Sequence, residues 1–527
     1  MAAFKNLVGG NWVPAKGGKT FPDRNPADLE DVVGDFPASG PEDVDAAVAA
    51  AKKAFDGWRR TPAPKRGELL FKVGEILTRR KEEIARAMTR EMGKVLKEAR
   101  GDVQEGIDTA WVHGGEGRRL HGFSAPSELP NKAGWTVRAP IGVCGLITPW
   151  NFPLAIPTWK SFPALVAGNT VVLKPASDTP HCAHLLMEAF LEAGFPPGVV
   201  NLVHGSGGKA GTALVRHPDV RVISFTGSSE VGREIHAEAG RALKRVSLEL
   251  GGKNAQIVMD DADLELALEG ALWGAFGTTG QRCTATSRLI LHRKVHDEFL
   301  GRLVERAKKL RLGPGLDEGS EVGPLINPDR VKGVEDYVRI GKKEGKLLCG
   351  GERARGGELE RGCFYRPTVF AGVKRTARIA REEIFGPVLS VLSVKDLDEA
   401  VACLNDTAYG LSASIYTRDL GNAFIAMQEL DTGIVYVNAP TIGAECHFPF
   451  GGTKDTGNGH REGGLPIYEV FTEWKTIYVD YSGRLQKAQI DNRGVESGIG
   501  NRESGTKTGT GTGKRGPGRG RAGKGKS

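Results

Sequence analysis

The sequence predicts an α/β protein built on two parallel sheets with a smaller β element, and three observations predict it. From Ala139 onward, short apolar runs alternate with helical stretches of roughly 10 to 15 residues, which is the grammar of βαβ units. Those runs are nearly continuous, as strands covered on both faces are. The segment VFTEWKTIYVDY, at residues 470–481, instead alternates bulky and polar residues, as an edge strand does.

The elements follow in order. From Val44 to Gly106 the apolar residues recur at spacings of three and four, in VDAAVAAAKKAFDGW and RGELLFKVGEILTRRKEEIARAMTREMGK, so this is a helical entry section. Strands are expected at IGVCGLITP, NTVVLKP, VVNLVHG, VRVISFTG and RVSLELGG, separated by the helices HLLMEAFLEAG, KAGTALVRH and SEVGREIHAEAGRAL. After Gly252 the alternation resumes with the strand NAQIVMD, a helix through DLELALEGALWGAF, the strand SRLILHR and the helix VHDEFLGRLVERAKKLRLG. A second α/β domain is therefore expected to run to about Pro449. Beyond about Arg493 the chain is glycine-rich without a large apolar residue, and it is expected to be disordered.

Composition narrows the function. The 527 residues are 39% hydrophobic and can bury a large core. No apolar run of about 18 residues exists to cross a bilayer, and the start lacks the apolar core of a signal peptide, so a cytoplasmic protein is expected. The seven cysteines are scattered and never spaced C-x-x-C, which argues against disulfides and zinc ribbons. HCAH, His181 to His184, opens a helix, and we read its residues as helix-start groups, with no metal expected. The net charge of +8 is concentrated in the tail: from Gly500 eight basic residues face the single acid Glu503. The body is near neutral, so nucleic-acid binding rests only on that tail. Six Met and six Gln in so long a chain hint at a heat-adapted source.

Two glycine turns could hold a dinucleotide pyrophosphate at a helix N-terminus: GSGGKA at Gly205–Ala210, and GSSEVG at Gly227–Gly232, which has the cleaner strand before it and the cleaner helix after it. Cys283, in GTTGQRCTATSRL, stands among glycines and small hydroxyl residues rather than aliphatic neighbours. Cys144, Cys182 and Cys403 lie in apolar runs and read as packing residues.

The fuller constellation is specific. ITPWNFPLAIPTWK (147–160), VVLKPASDTP (171–180), FTGSSEVG (225–232), LELGGKN (248–254), GQRC (280–283), EEIFGPV (382–388) and PFGG (449–452) occur in this order. With them the chain resembles the aldehyde dehydrogenase superfamily, over roughly residues 5–485. The resemblance implies a Rossmann-type cofactor domain (1–121 and 141–250), a catalytic domain (251–449), an oligomerisation element (122–140 and 450–490) and a basic tail (494–527). It implies Cys283 as nucleophile, Glu249 as the general base that activates water, and Asn151 as oxyanion donor beside the Cys283 backbone N–H. It assigns cofactor contacts to Trp150, Lys174, Gly227, Ser228, Glu383 and Phe385, and favours Gly227 over Gly205 as the phosphate turn. A homo-oligomer, dimer or tetramer, is implied.

Ser177 departs from the pattern, because many NAD-preferring relatives carry Glu there. A serine removes the repulsion of a 2′-phosphate, so both NAD and NADP are expected as cofactors. The loop TIGAECHFPFGGTKDTGNGHREGG looks like that of amino-acid semialdehyde enzymes and of broad-specificity bacterial ones. Breadth is expected, with Trp159, Phe152 and Phe448 on the tunnel side, Arg282 as a candidate partner for a substrate carboxylate, and Glu98 as a distant candidate for an amino group. A semialdehyde dehydrogenase is the alternative; a CoA-acylating relative would leave Glu249 idle.

Overall fold

The computed structural model describes residues 2–490, so the tail expected to be disordered lies outside the described residues. In chain order the first elements are β1 (Asn6–Val8), β2 (Asn11–Val13), β3 (Thr20–Arg24), β4 (Val32–Pro37), α1 (Pro41–Arg60), α2 (Ala63–Arg79), α3 (Lys81–Met92) and α4 (Leu96–Glu116). The helical entry section is thus preceded by four strands that the sequence reading missed. They are short, and β2 and β3 are mostly exposed or half-exposed, while β1 and β4 are interrupted by Asn6, Gly34 and Asp35, so none spells the continuous apolar run that marks a parallel strand.

Next come β5 (Ser124–Pro126), β6 (Lys132–Pro140), β7 (Val143–Ile147), α5 (Ala155–Ala167), β8 (Thr170–Lys174), α6 (Pro180–Ala193), β9 (Val200–Leu202), α7 (Thr212–Arg216), β10 (Val220–Thr226), α8 (Ser229–Arg241) and β11 (Arg245–Glu249). Five of these strands run parallel in the order β11-β10-β7-β8-β9, and β1 and β2 extend the sheet antiparallel beyond β9. Successive strand residues feed opposite cores. Cys144, Leu146, Val171 and Leu173 join the helices α2 to α6 on one face, while Val143, Ile147, Val172 and Ile223 meet α1, α7 and α8 on the other. The chain moves outward from β7 through β8 and β9, then returns to β10 on the other side of β7. Strand order therefore reverses between β7 and β10, where open α/β sheets bind ligands at strand carboxyl ends.

The second sheet is built from β12 (Ala255–Val258), α9 (Leu264–Phe276), β13 (Arg288–His292), α10 (His296–Lys309), α11 (Pro328–Glu344), β14 (Lys346–Cys349), β15 (Thr368–Ala371), α12 (Arg378–Arg381), β16 (Val388–Val394), α13 (Leu397–Asn405), β17 (Tyr409–Gly410), β18 (Ser412–Tyr416), α14 (Leu420–Glu429) and β19 (Ile434–Val437). Its order is β14-β15-β16-β13-β12-β18-β19, parallel except for β14 against β15, while β17 pairs with β20 (Thr453–Lys454) outside it. Asp263, Asn327, Asp396 and Asp419 cap the helices that follow them by accepting a backbone N–H. The chain continues through α15 (Tyr468–Phe471) into β21 (Thr472–Asp480).

By compactness the described chain divides into a large unit, residues 2–122 and 137–475, and a small one, residues 123–136 and 476–490. In the small unit β5 pairs antiparallel with β6, and the Tyr478 ring carries the Lys132 ammonium 5.0 Å from its centroid. Residues 450–475 fall by compactness in the large unit. The Leu250 N–H donates to the Thr456 carbonyl at 2.7 Å, and Phe450 and Glu462 exchange backbone hydrogen bonds. Among the described residues no helix is long and apolar enough to cross a membrane.

Candidate active site

Most of the residues singled out from the sequence come off the carboxyl ends of the first sheet. Trp150 and Asn151 follow β7, Lys174 ends β8, Gly227 and Ser228 follow β10, and Glu249 is the last residue of β11. The turn from β10 into α8 has Ser228 as N-cap, its Oγ accepting from the Val231 N–H. The Gly205 stretch leads instead into a short π-helical turn. A side chain at Gly227 would strike the Phe225 ring, so the backbone stays bare there. Thr226 Oγ1, at the entry of this turn, is buried without a hydrogen-bond partner and is the kind of group a polar ligand satisfies.

Lys174 is buried, and its Nζ donates to the carbonyls of Pro175 at 2.6 Å and Gly205 at 3.0 Å. Ser177 Oγ donates to the same Gly205 carbonyl at 3.2 Å. Burial pushes the Lys174 ammonium down to about 8, opposed by the charge of Asp178.

Cys283 sits on the loop between α9 and β13, half-buried. Its carbonyl accepts from Asn254 Nδ2 at 2.7 Å, and a side chain at Gly252 would collide with that carbonyl. Gly252 N–H in turn donates to Glu383 Oε1 at 2.9 Å, so the nucleophile candidate, the LELGG turn and Glu383 are knitted together. Burial, then the Glu383 carboxylate, then Glu249, push the Cys283 thiol up to about 12, although the N–H groups of Thr284 and Cys283 favour the thiolate. Beside Glu383, Phe385 adopts a left-handed backbone (φ 56) and meets Trp150 edge-on, ring centroids 5.4 Å apart. Lys253 Nζ is buried without a partner, and burial, with the Arg288 charge, pushes it down to about 7.

Asn151 is buried, its Oδ1 has no partner, and its backbone carbonyl accepts from Lys94 Nζ at 2.7 Å. Lys94 is paired with Asp102 at 2.9 Å, both fully buried, and Asp102 Oδ1 takes the Ala155 N–H at the start of α5. This fixes the Asn151 loop from α4.

Behind Glu249 lies a group that sequence reasoning missed. Lys160 on α5 is paired with Glu462, both buried, and donates to Ser224 Oγ at 3.0 Å. Glu249 Oε1 is unpartnered; burial and then the Glu462 charge raise its carboxyl well above the carboxylate range, with Lys160 and Arg461 opposing. Lys160 and Glu462 stand 302 positions apart, so no spacing rule could have joined them.

A cavity of about 1190 Å³ opens between α4, α9 and the loop after α10, walled by Phe152, Leu272, Trp273, Phe276 and Arg282. Phe152, one of the three aromatics expected on the tunnel side, is among its walls. Trp159 is buried against Phe450, ring centroids 5.2 Å apart, and Phe448 is exposed beside His447. Glu98 and Arg282 form an ion pair at 3.0 Å, so Arg282 is engaged rather than free. Glu105, on the same wall, is pushed up to about 8 by burial and by Asp102. Cys144, Cys182 and Cys403 are buried in the cores. Among the described residues no cluster of three or more His, Cys, Asp or Glu could hold a metal ion.

The sequence matches the aldehyde dehydrogenase family over residues 12–477. It is 42% identical to the α-ketoglutaric semialdehyde dehydrogenase of Bacillus subtilis, covering 90% of this chain and 98% of that one. The fold superposes on the crystal structure of an NAD-dependent aldehyde dehydrogenase from Sinorhizobium meliloti with a TM-score of 0.89 at 39% identity, covering 93% of this chain and 96% of that one. It also superposes on an NADP-dependent enzyme from E. coli with a TM-score of 0.87 at 39% identity, covering 91% and 98%.

Proposed function

The chain belongs to the aldehyde dehydrogenase family, and from that premise we propose that it oxidises a broad range of aldehydes to carboxylic acids with either NAD or NADP, through an acyl group carried on Cys283. The observation that carries this reading is the close packing of the Cys283 carbonyl against Gly252, whose N–H donates to Glu383, with the Glu249 carboxylate near enough to oppose ionisation of the thiol.

Cys283 loses its proton and its sulfur attacks the aldehyde carbon. The oxyanion that forms is held by the Asn151 amide, which cannot be titrated away, and by the Cys283 N–H. A bound nicotinamide would supply the acceptor for the hydride that leaves this carbon, so that a thioester remains on Cys283. Trp150, Glu383 and Phe385 would flank the nicotinamide ribose, Gly227 and Ser228 the pyrophosphate, and Lys174 and Ser177 the adenosine ribose. Glu249 then takes a proton from water as the water attacks the thioester, releasing the acid and the thiol. Its raised affinity for protons, from burial and the Glu462 charge, suits a group that must accept one. A carboxyl in this position supports water over CoA as acyl acceptor.

Breadth is favoured because Arg282, the arginine next to Cys283 in sequence, is already paired with Glu98 and so is not free to demand a substrate carboxylate. The B. subtilis relative places carboxylate-bearing semialdehydes among the substrates to test. Self-association is favoured by Tyr478, Tyr481 and Leu485, each about two-thirds exposed or more on the small unit. The test is initial rates on aliphatic aldehydes, aromatic aldehydes and α-ketoglutaric semialdehyde, with each cofactor at saturation. All three classes should turn over with both cofactors; a preference of about a thousandfold or more, about 4 kcal/mol, for one semialdehyde would contradict breadth.

A further inference from the structure

Three successive residues before Cys283 have left-handed backbones: Thr278 (φ 49), Thr279 (φ 58) and Gly280 (φ 67). Glycine adopts this region freely, but β-branched residues enter it only when their surroundings force them to. Here the forcing groups are visible. Both oxygens of Glu98 accept the Thr278 N–H, at 2.9 and 3.0 Å. Thr278 Oγ1 accepts from Arg282 Nε at 2.9 Å, and another guanidinium nitrogen of Arg282 returns to Glu98 Oε1 at 3.0 Å.

The contacts close a ring: carboxylate, backbone N–H, threonine hydroxyl, guanidinium and back to the carboxylate. The Glu98 and Arg282 side chains are 12% and 11% exposed, so water competes weakly for either. The rest of the turn is tied to a different segment, Thr279 Oγ1 to the Gly323 carbonyl at 2.9 Å and Gln281 Oε1 to the Ile326 N–H at 2.9 Å. Only the Glu98 contact comes from α4, the helix that also fixes the Asn151 loop through Asp102 and Lys94. One helix therefore sets both the residue that carries the sulfur and the residue that meets the oxyanion.

We propose that Glu98 is a positioning residue for the nucleophile, holding the left-handed turn and Arg282 so that the Cys283 sulfur is aimed at the aldehyde carbon held against Asn151. The inference rests on the reading of Cys283 as nucleophile. Glu98 touches neither substrate nor cofactor in this role. Its carboxylate enforces a backbone conformation that Thr278 and Thr279 would otherwise leave, and it cancels the charge that Arg282 would turn toward the cavity.

Glu98→Gln keeps an oxygen for the Thr278 N–H, whereas Glu98→Ala removes it. Glu98→Ala should slow both the first hydride transfer, measured by stopped flow, and alkylation of Cys283 by iodoacetamide, by about tenfold to a hundredfold. The NADH dissociation constant should stay within about twofold, since the cofactor contacts lie elsewhere. Glu98→Gln should recover most of the loss. In the Glu98→Ala background, Thr278→Asn should recover part of it, because asparagine takes a left-handed backbone at lower cost. If Glu98→Ala fails to fold, Glu98→Gln and the double variant still decide the matter. Wild-type rates in Glu98→Ala, or no advantage of Gln over Ala, would overturn the proposal. Cys283→Ala, run alongside, separates the two readings: oxidation that survives in it removes the nucleophile assignment itself, whereas an inactive Cys283→Ala with normal Glu98→Ala removes only the role of Glu98.

Discussion

At the scale of single residues, the site is set by what burial does to charge. Burial and two carboxylates oppose ionisation of Cys283, so inactivation of the cofactor-free enzyme by iodoacetamide should still rise with pH at about pH 9, where an ordinary thiol is half ionised. A plateau below about pH 8 would show a thiolate already formed. Lys174 is shifted the other way, down to about 8. Its positive charge is present below that pH and lost above it, so the NADP dissociation constant should increase between about pH 7.5 and 9.5 while that of NAD stays nearly flat. Parallel pH dependence for the two cofactors would detach Lys174 from the 2′-phosphate. Ser177→Glu should raise the Michaelis constant for NADP by about tenfold or more and spare that for NAD. These residues were legible in the sequence because each lies in a compact motif. Lys160, Ser224 and Glu462 were not, because their contact is made only when α5, β10 and the segment after β20 come together. Glu98 was noticed, but its pairing with Arg282 bridges 184 positions and had no local signature.

Among the elements, α4 is the one whose polar face matters most. The Lys94–Asp102 pair is fully buried and holds both the Asn151 carbonyl and the start of α5. Asp102→Ala leaves an ammonium buried without its partner, which should cost about 3 to 5 kcal/mol in urea unfolding and depress the rate of hydride transfer. A loss below about 1 kcal/mol would mean that water reaches Lys94 and that the tie is weaker than its burial suggests. The strands around the site were readable because each is covered on both faces and so spells an apolar run: VCGLI, TVVLK and AQIV are buried throughout. The strands before α1 carry no such signal. TFPDR, for example, buries only one residue of five and depends on its partner strand for its conformation. The segment 450–475 has, through its backbone bonds to Leu250 and within the Phe450–Glu462 pairing, a place on the large unit that its glycine-rich composition does not announce.

For the whole molecule, two α/β sheets bring strand carboxyl ends and connecting loops together, so that Cys283 feels Glu249 and Glu383, and Glu249 feels Glu462 and Lys160. The small unit's exposed apolar residues predict a mass in solution, by light scattering, that is a multiple of the single chain; a strictly monomeric protein with full activity would leave those residues unexplained. The central claim is a covalent acyl group on Cys283 that Glu249 helps water to remove. The most direct measurement is rapid quench of Glu249→Gln mixed with aldehyde and NAD, followed by mass spectrometry of the cysteine-containing peptides. The account predicts a burst of NADH approaching one per chain, slow turnover afterwards, and an acyl mass increment on the peptide that begins at Cys283. A burst without that increment, or an increment on Cys446 or another cysteine, would contradict it.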